Sequence, residues 1–114
     1  MATSLIIGLG SPVLVLAAHF IGDFAWQTTW MGLEKGKDWN AMLAHCATYT
    51  AAFVLFSCLP VNFFLSSAAV VVIFLTHVAI DTLKARFGLI TSIWLDQLCH
   101  FAVLASLFSF GMIR

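Results

Sequence analysis

The sequence predicts an all-α fold: a single domain over residues 1–114, built as a polytopic membrane bundle of four transmembrane helices running up and down. Three observations predict it. The chain is 62% hydrophobic and only 9% charged, against roughly 25% charged and about half apolar residues in soluble domains. Its apolar residues fall into four runs of about 20, the number needed to cross a hydrocarbon core. Those runs are too long for strands and show no dyad alternation. Five Lys and Arg balance five Asp and Glu, so the net charge is zero and no basic surface for nucleic acid exists. The composition also excludes a disordered chain and a disulfide-rich module. A chain of 114 residues folded in this way has no room for a soluble catalytic module. Any chemistry must use side chains within the helices or at their ends.

The first span is expected at about 4–30. Ser4 to Gly22 carries no charge, and Lys and Arg are absent before Lys35, which argues against a cleavable signal peptide. Gly8, Gly10 and Ser11-Pro12 interrupt the run. Pro12 either begins the helix behind Ser11 as N-cap or kinks a longer one. A polar connection, Met31 to Trp39, leads to the second span at about 40–59. That span stops at Pro60, and Pro60-Val61-Asn62 reads as a tight turn. The third span covers about 63–87, where Gly88 suits a helix stop; Thr91 or Ser92 caps the fourth, about 91–113. Four spans place both termini on one side. Lys35, Lys37, Lys84 and Arg86 lie in the loops of the other side, against Arg114 alone at the terminal side. The positive-inside rule makes the lysine-bearing side cytoplasmic and the termini non-cytoplasmic. Trp26, Trp30, Trp39 and Trp94 gather towards that same side, as lipid anchors of one aromatic belt.

The ionisable residues within the spans are His19, Asp23, His45, His77, Asp81, Lys84, Asp96 and His100, which include all four histidines of the chain. His19 and Asp23, His77 and Asp81, and Asp96 and His100 are each four residues apart, a spacing that places both members on one helix face. Gln27 extends the first of these faces, Lys84 the third, and His45-x3-Tyr49 repeats the spacing on the second helix. At the α-helical rise all of them lie about 7–16 Å from the lysine-bearing ends. Alternating helix direction then brings four separate patches of sequence to one depth. An Asp at mid-span costs roughly 2.5–3.5 kcal/mol, so several are tolerated only when paired, hydrated or bound to metal. Asp23, Asp81 and Asp96 set against Lys84 leave two negative charges, the charge of one divalent cation.

The expected ligands are therefore His19, Asp23, His45, His77, Asp81, Asp96 and His100, on zinc first and iron or manganese next. Seven donors exceed the needs of one tetrahedral ion, so some support the ligands from behind or two metals bind. The structural alternative is a set of interhelical hydrogen bonds, and protonated histidines balancing the aspartates would make a proton relay. Lys84 either snorkels to the interface or contacts a phosphate or carboxylate of substrate. Lys35 and Lys37 read as loop charges, with Lys35 able to cover the site entrance. Cys46, Cys58 and Cys99 form no C-x-x-C motif and read as small buried hydrophobes.

The string HFIGDFAWQTTWMGLEK at 19–35, with His45, His77-Val-Ala-Ile-Asp81-Thr-Leu-Lys84 and Asp96-Gln97-x2-His100, resembles a family of small membrane proteins of bacteria and their viruses known as domain of unknown function 3307. The resemblance runs from His19 to His100 and picks out Gln27, Lys35 and Gln97 beside the His and Asp residues. It implies a bacterial inner-membrane location. Its motifs are distantly similar to those of membrane-bound proteins described as metal-dependent hydrolases. The leading expectation is thus a membrane-embedded metal-dependent hydrolase facing the cytoplasm. Asp23, Asp81, Lys84 and Gln27 would be its catalytic residues, and a lipid head group or lipid-linked phosphate its substrate. Membrane lipid, and a second copy of the chain, are the expected partners, and nucleic acid is not. The alternatives are a cation- or proton-coupled transporter or channel component, and a phage-type membrane regulator acting through a partner.

Overall fold

Three of the long helices begin where a short polar side chain, Asp38, Ser66 or Ser92, takes up a free backbone N–H. The computed structural model describes residues 2–59 and 63–114; the turn expected at Pro60-Val61-Asn62 lies outside them. Helix α1 spans Ala2–Phe20 and is broken at Gly10 (φ 78°, ψ 162°), a conformation open to a residue without Cβ. Pro12 therefore stands in the first turn of the segment carrying His19, where its fixed φ suits a helix start. The helix continues as a π turn, Ile21–Ala25, and stops when Trp26 N–H returns to Ile21 O at 2.8 Å. The first span is thus shorter than expected. Thr28 opens a separate short helix, α2 (Thr29–Glu34), by accepting from Met31 N–H.

Helix α3, Trp39–Ser57, is capped by Asp38, whose carboxylate accepts from Asn40 N–H at 2.9 Å. Helix α4, Ser67–Asp81, starts behind Ser66 and runs into a second π turn, Thr82–Arg86. Gly88, at φ 64°, ends it: Leu89 N–H reaches back over the π turn to Leu83 O at 2.8 Å, and glycine is the residue that takes such a left-handed position after a helix. Helix α5 is Ile93–Ser109, capped by Ser92. Two boundaries differ from the sequence expectation for one reason. Residues 63–65 and 112–114 are extended and pair antiparallel, with Phe64 N–H to Arg114 O at 2.7 Å and Arg114 N–H to Phe64 O at 3.0 Å. That pairing delays α4 and shortens α5.

The fold is all-α, with no strand beyond this bridge among the described residues. α3 packs against α1, its π turn and α4, and α4 packs against α5. The interior has two layers. Leu14, Val15, Phe53, Ile73, Leu104, Leu107 and Ile113 form an apolar core towards the paired ends. Towards the lysine-bearing end the buried side chains are His19, Asp23, His45, His77, Asp81, Asp96, Gln97 and His100. Among the described residues one helical stretch, Ser67–Arg86, is long and apolar enough to cross a membrane; Gly10–Ala25 and Ile93–Ser109 are apolar but shorter. Four full-length spans were expected, and the breaks at Gly10 and Trp26 and the end pairing account for the shorter helices.

Candidate metal centre

Small residues bring the polar layer together. A Cβ on Gly22 would lie 2.9 Å from Tyr49 Cα and 3.0 Å from Tyr49 O, so the π turn rests directly on the α3 backbone. The next residue, Asp23, is thereby laid against His45, one turn earlier on α3. Asp23 Oδ1 is 3.3 Å from His45 Nε2 and 3.5 Å from His77 Nε2. Asp81 Oδ2 is 3.0 Å from His45 Nε2 and 3.7 Å from His77 Nε2, and the two Nε2 atoms are 3.0 Å apart. Every pair among these four donor atoms lies within 4.8 Å.

The five separations of 3.0–3.7 Å have a simple geometric meaning. The corners of a tetrahedron stand about 1.6 times the bond length apart, so metal–ligand bonds of roughly 2.0–2.2 Å imply corner distances of about 3.3–3.6 Å. Two imidazoles and two carboxylates suit zinc, iron or manganese. Two imidazole nitrogens and two carboxylate oxygens at one point are satisfied either by protons on the imidazoles, which then donate to the carboxylates, or by a cation at that point. The Tyr49 ring stacks on His77, with centroids 3.7 Å apart and planes at 14°, and fixes the orientation of that imidazole.

His19 sits beside this group. Gln97 Nε2 donates to Asp23 Oδ2 at 3.2 Å and to Asp96 Oδ2 at 3.1 Å, which sets the amide so that Gln97 Oε1 faces His19 Nε2 at 2.7 Å. A carbonyl oxygen only accepts; His19 Nε2 therefore carries the proton, and Nδ1 accepts from the Tyr49 hydroxyl at 2.7 Å. Both ring nitrogens are occupied, and His19 makes no ion pair with Asp23 among the described residues. The expected shared face fails here because the π turn closes i→i+5 and holds an extra residue, whereas His77–Asp81 and Asp96–His100 keep the α spacing and do meet.

Two lysines close the lysine-bearing end. Lys35 Nζ donates to Asp81 Oδ2 and to Gln27 Oε1, each at 2.9 Å, and Lys84 Nζ donates to Asp96 Oδ2 at 3.2 Å. Lys35 is 11% exposed and Lys84 35%, so Lys35 belongs to the site and Lys84 to its rim. Gly36 sets the position of Lys35: a Cβ there would meet Ala85 O at 2.5 Å, so the loop after α2 lies directly on the second π turn. Gln27 reaches the cluster through Lys35. Lys35, read from the sequence as a loop charge able to cover the site entrance and picked out by the family resemblance, lies on Asp81; Tyr49, given no role by the sequence beyond the spacing His45-x3-Tyr49, lies against His19 and His77. Cys46 is buried as expected, Cys99 partly so, and Cys58 is exposed.

No curated protein and no solved structure matches the chain. The family model described as protein of unknown function (DUF3307) matches residues 12–113, a stretch that contains every residue of this centre, and the chain belongs to that family.

Proposed function

We propose that the protein is a membrane-embedded, metal-dependent hydrolase whose site lies in the cytoplasmic half of the bilayer and acts on a lipid head group or lipid-linked phosphoester. The observation that carries this reading is the tetrahedral convergence of His45, His77, Asp23 and Asp81. The membrane reading is supported by an inverted distribution of polarity. Carboxylates and imidazoles are buried inside, while Leu16, Phe20, Phe24, Leu43, Leu55, Val71, Leu75 and Leu98 are exposed outside. Buried ionisable groups facing a bundle interior are what a membrane protein tolerates. Helices of 16–17 residues reach about 24–26 Å, a few Å short of the hydrocarbon thickness, which local thinning or flanking residues accommodate.

A divalent ion held in this polar layer with one ligand position left open would supply a water of lowered pKa and a Lewis acid for a carbonyl or phosphoryl oxygen. The protein's own side chains perform the remaining tasks. Asp23 and Asp81 supply negative charge to the ion and accept protons at its edge; Lys84, at the rim, attracts an anionic head group. Lys35 covers Asp81 and is the group that substrate or ion displaces. A cation pathway would need polar groups continuing to the far end, where Leu14, Phe53, Leu104 and Leu107 pack instead.

The test is turnover of phospholipid or polyprenyl-phosphate substrates by purified protein in detergent, together with its metal content. Both are expected to fall at least tenfold in His77→Ala and Asp81→Asn, an effect of about 1.4 kcal/mol or more. Unchanged turnover in both variants rejects the assignment.

A further inference from the structure

The four-donor group would give one tetrahedral ion all its ligands and leave no position open, the arrangement of a structural ion. A catalytic ion needs an open position. Three residues of α5 and the first π turn supply one beside it. Asp23, Asp96 and His100 form a second set of donors within 4.8 Å of one another, all buried. His100 Nε2 and Asp96 Oδ1 are buried without a hydrogen-bond partner and make only ion pairs, with each other and, for His100, with Asp81; His100 and Asp96 are 3% and 1% exposed. They face each other at 3.4 Å, again a tetrahedral corner distance. Asp81 Oδ1, the oxygen turned away from the first group, is 3.5 Å from His100 Nε2.

We infer that the protein holds a dinuclear centre: a second divalent ion sits on His100, Asp96 and Asp23, shares Asp23 with the first ion, and keeps a free position for water or substrate. The inference rests on the metal-dependent reading above and deepens it. Asp81 divides its oxygens, Oδ2 towards His45 and Oδ1 towards His100, and so lies between the two positions. The His77 and His100 rings stack at 4.5 Å between centroids, a spacing compatible with ions about 3.5–4 Å apart, as in two-metal hydrolytic sites. Three protein donors and an open position match the coordination of catalytic ions. Lys84, bonded to Asp96 Oδ2, stands on the open side, where an anionic oxygen of substrate would meet both the second ion and the ammonium. Three carboxylates and two paired lysines leave one negative charge, so two divalent ions enter only as the lysines are released, and the one positive charge then left over is balanced by a hydroxide or an anionic oxygen of substrate.

The experiment is a titration of chelator-stripped full-length protein in micelles with Mn2+, counting bound ions by mass spectrometry and reading spin coupling by electron paramagnetic resonance. The wild type is expected to bind a pair of ions and show an exchange-coupled signal. His100→Asn and Asp96→Asn, which preserve shape, are expected to retain a single ion with an uncoupled signal. A single uncoupled ion in the wild type, unaffected by His100→Asn and lost in His77→Ala, overturns the second position and leaves the first. No bound ion in folded wild-type protein overturns both. Helical circular dichroism of each variant confirms that a lost ion reflects a lost ligand rather than a lost fold.

Discussion

At the scale of single residues, the polar layer is organised by groups that orient its donors. His19 is the clearest case, a histidine whose two nitrogens are taken by Tyr49 and Gln97, so that it holds Gln97 in place and Gln97 holds Asp23 and Asp96. Tyr49→Phe removes the hydroxyl that satisfies His19 Nδ1 and is expected to cost about 1–3 kcal/mol of stability, measured by chemical unfolding in micelles, with the ion count unchanged because the ring that stacks on His77 remains. Lys35 acts in the opposite direction. Its ammonium holds the Asp81 oxygen that the first proposed ion would use, so Lys35→Met is expected to tighten Zn2+ binding about tenfold, the factor equal to ~1.4 kcal/mol, in competition with a chromophoric chelator. Residue types and spacing made the seven candidate ligands visible. The separation of His19 from the other six depends on hydrogen bonds to side chains 30 and 78 positions away, which no local pattern encodes.

At the scale of elements, two π turns and two glycines align the helices. The π turn at Ile21–Ala25 carries Asp23, and the one at Thr82–Arg86 begins just after Asp81 and carries Lys84; such bulges often mark functional positions in helices. Gly22→Ala would place a Cβ 2.9 Å from the α3 backbone, a contact with no flexible atom to yield. It is expected to destabilise the protein by about 1–3 kcal/mol and to weaken metal binding, since Asp23 moves off His45; thermal unfolding and a metal titration of one preparation read both effects. Gly36→Ala meets Ala85 O at 2.5 Å and lifts the loop, so its metal affinity is expected to follow that of Lys35→Met. The all-α class was legible from run length, and Ser92 and Gly88 from cap chemistry, whereas the short helix Thr29–Glu34 falls where a polar connection was expected. The ends near residues 26, 66 and 110 were not, because a π turn and a pairing between residues 63–65 and 112–114 set them.

For the whole molecule, the interior divides into a polar layer at the lysine-bearing end and an apolar layer at the other. The orientation drawn from the lysines predicts that Lys37→Cys, in a chain whose own cysteines are serine, is shielded from an impermeant maleimide in intact spheroplasts and labelled after lysis; labelling before lysis reverses the topology. The sequence by itself determined the helical class, the scarcity of charge outside the site, and the common depth of the histidines and aspartates, since these follow from composition and helical rise. Only the tertiary structure decided which donors meet, that His19 turns aside and that Lys35 enters. Periodicity assigns a side chain to a face and a height on its own helix, but the rotation of each helix about its axis is set by contacts between helices, here the close seating of Gly22 on Tyr49.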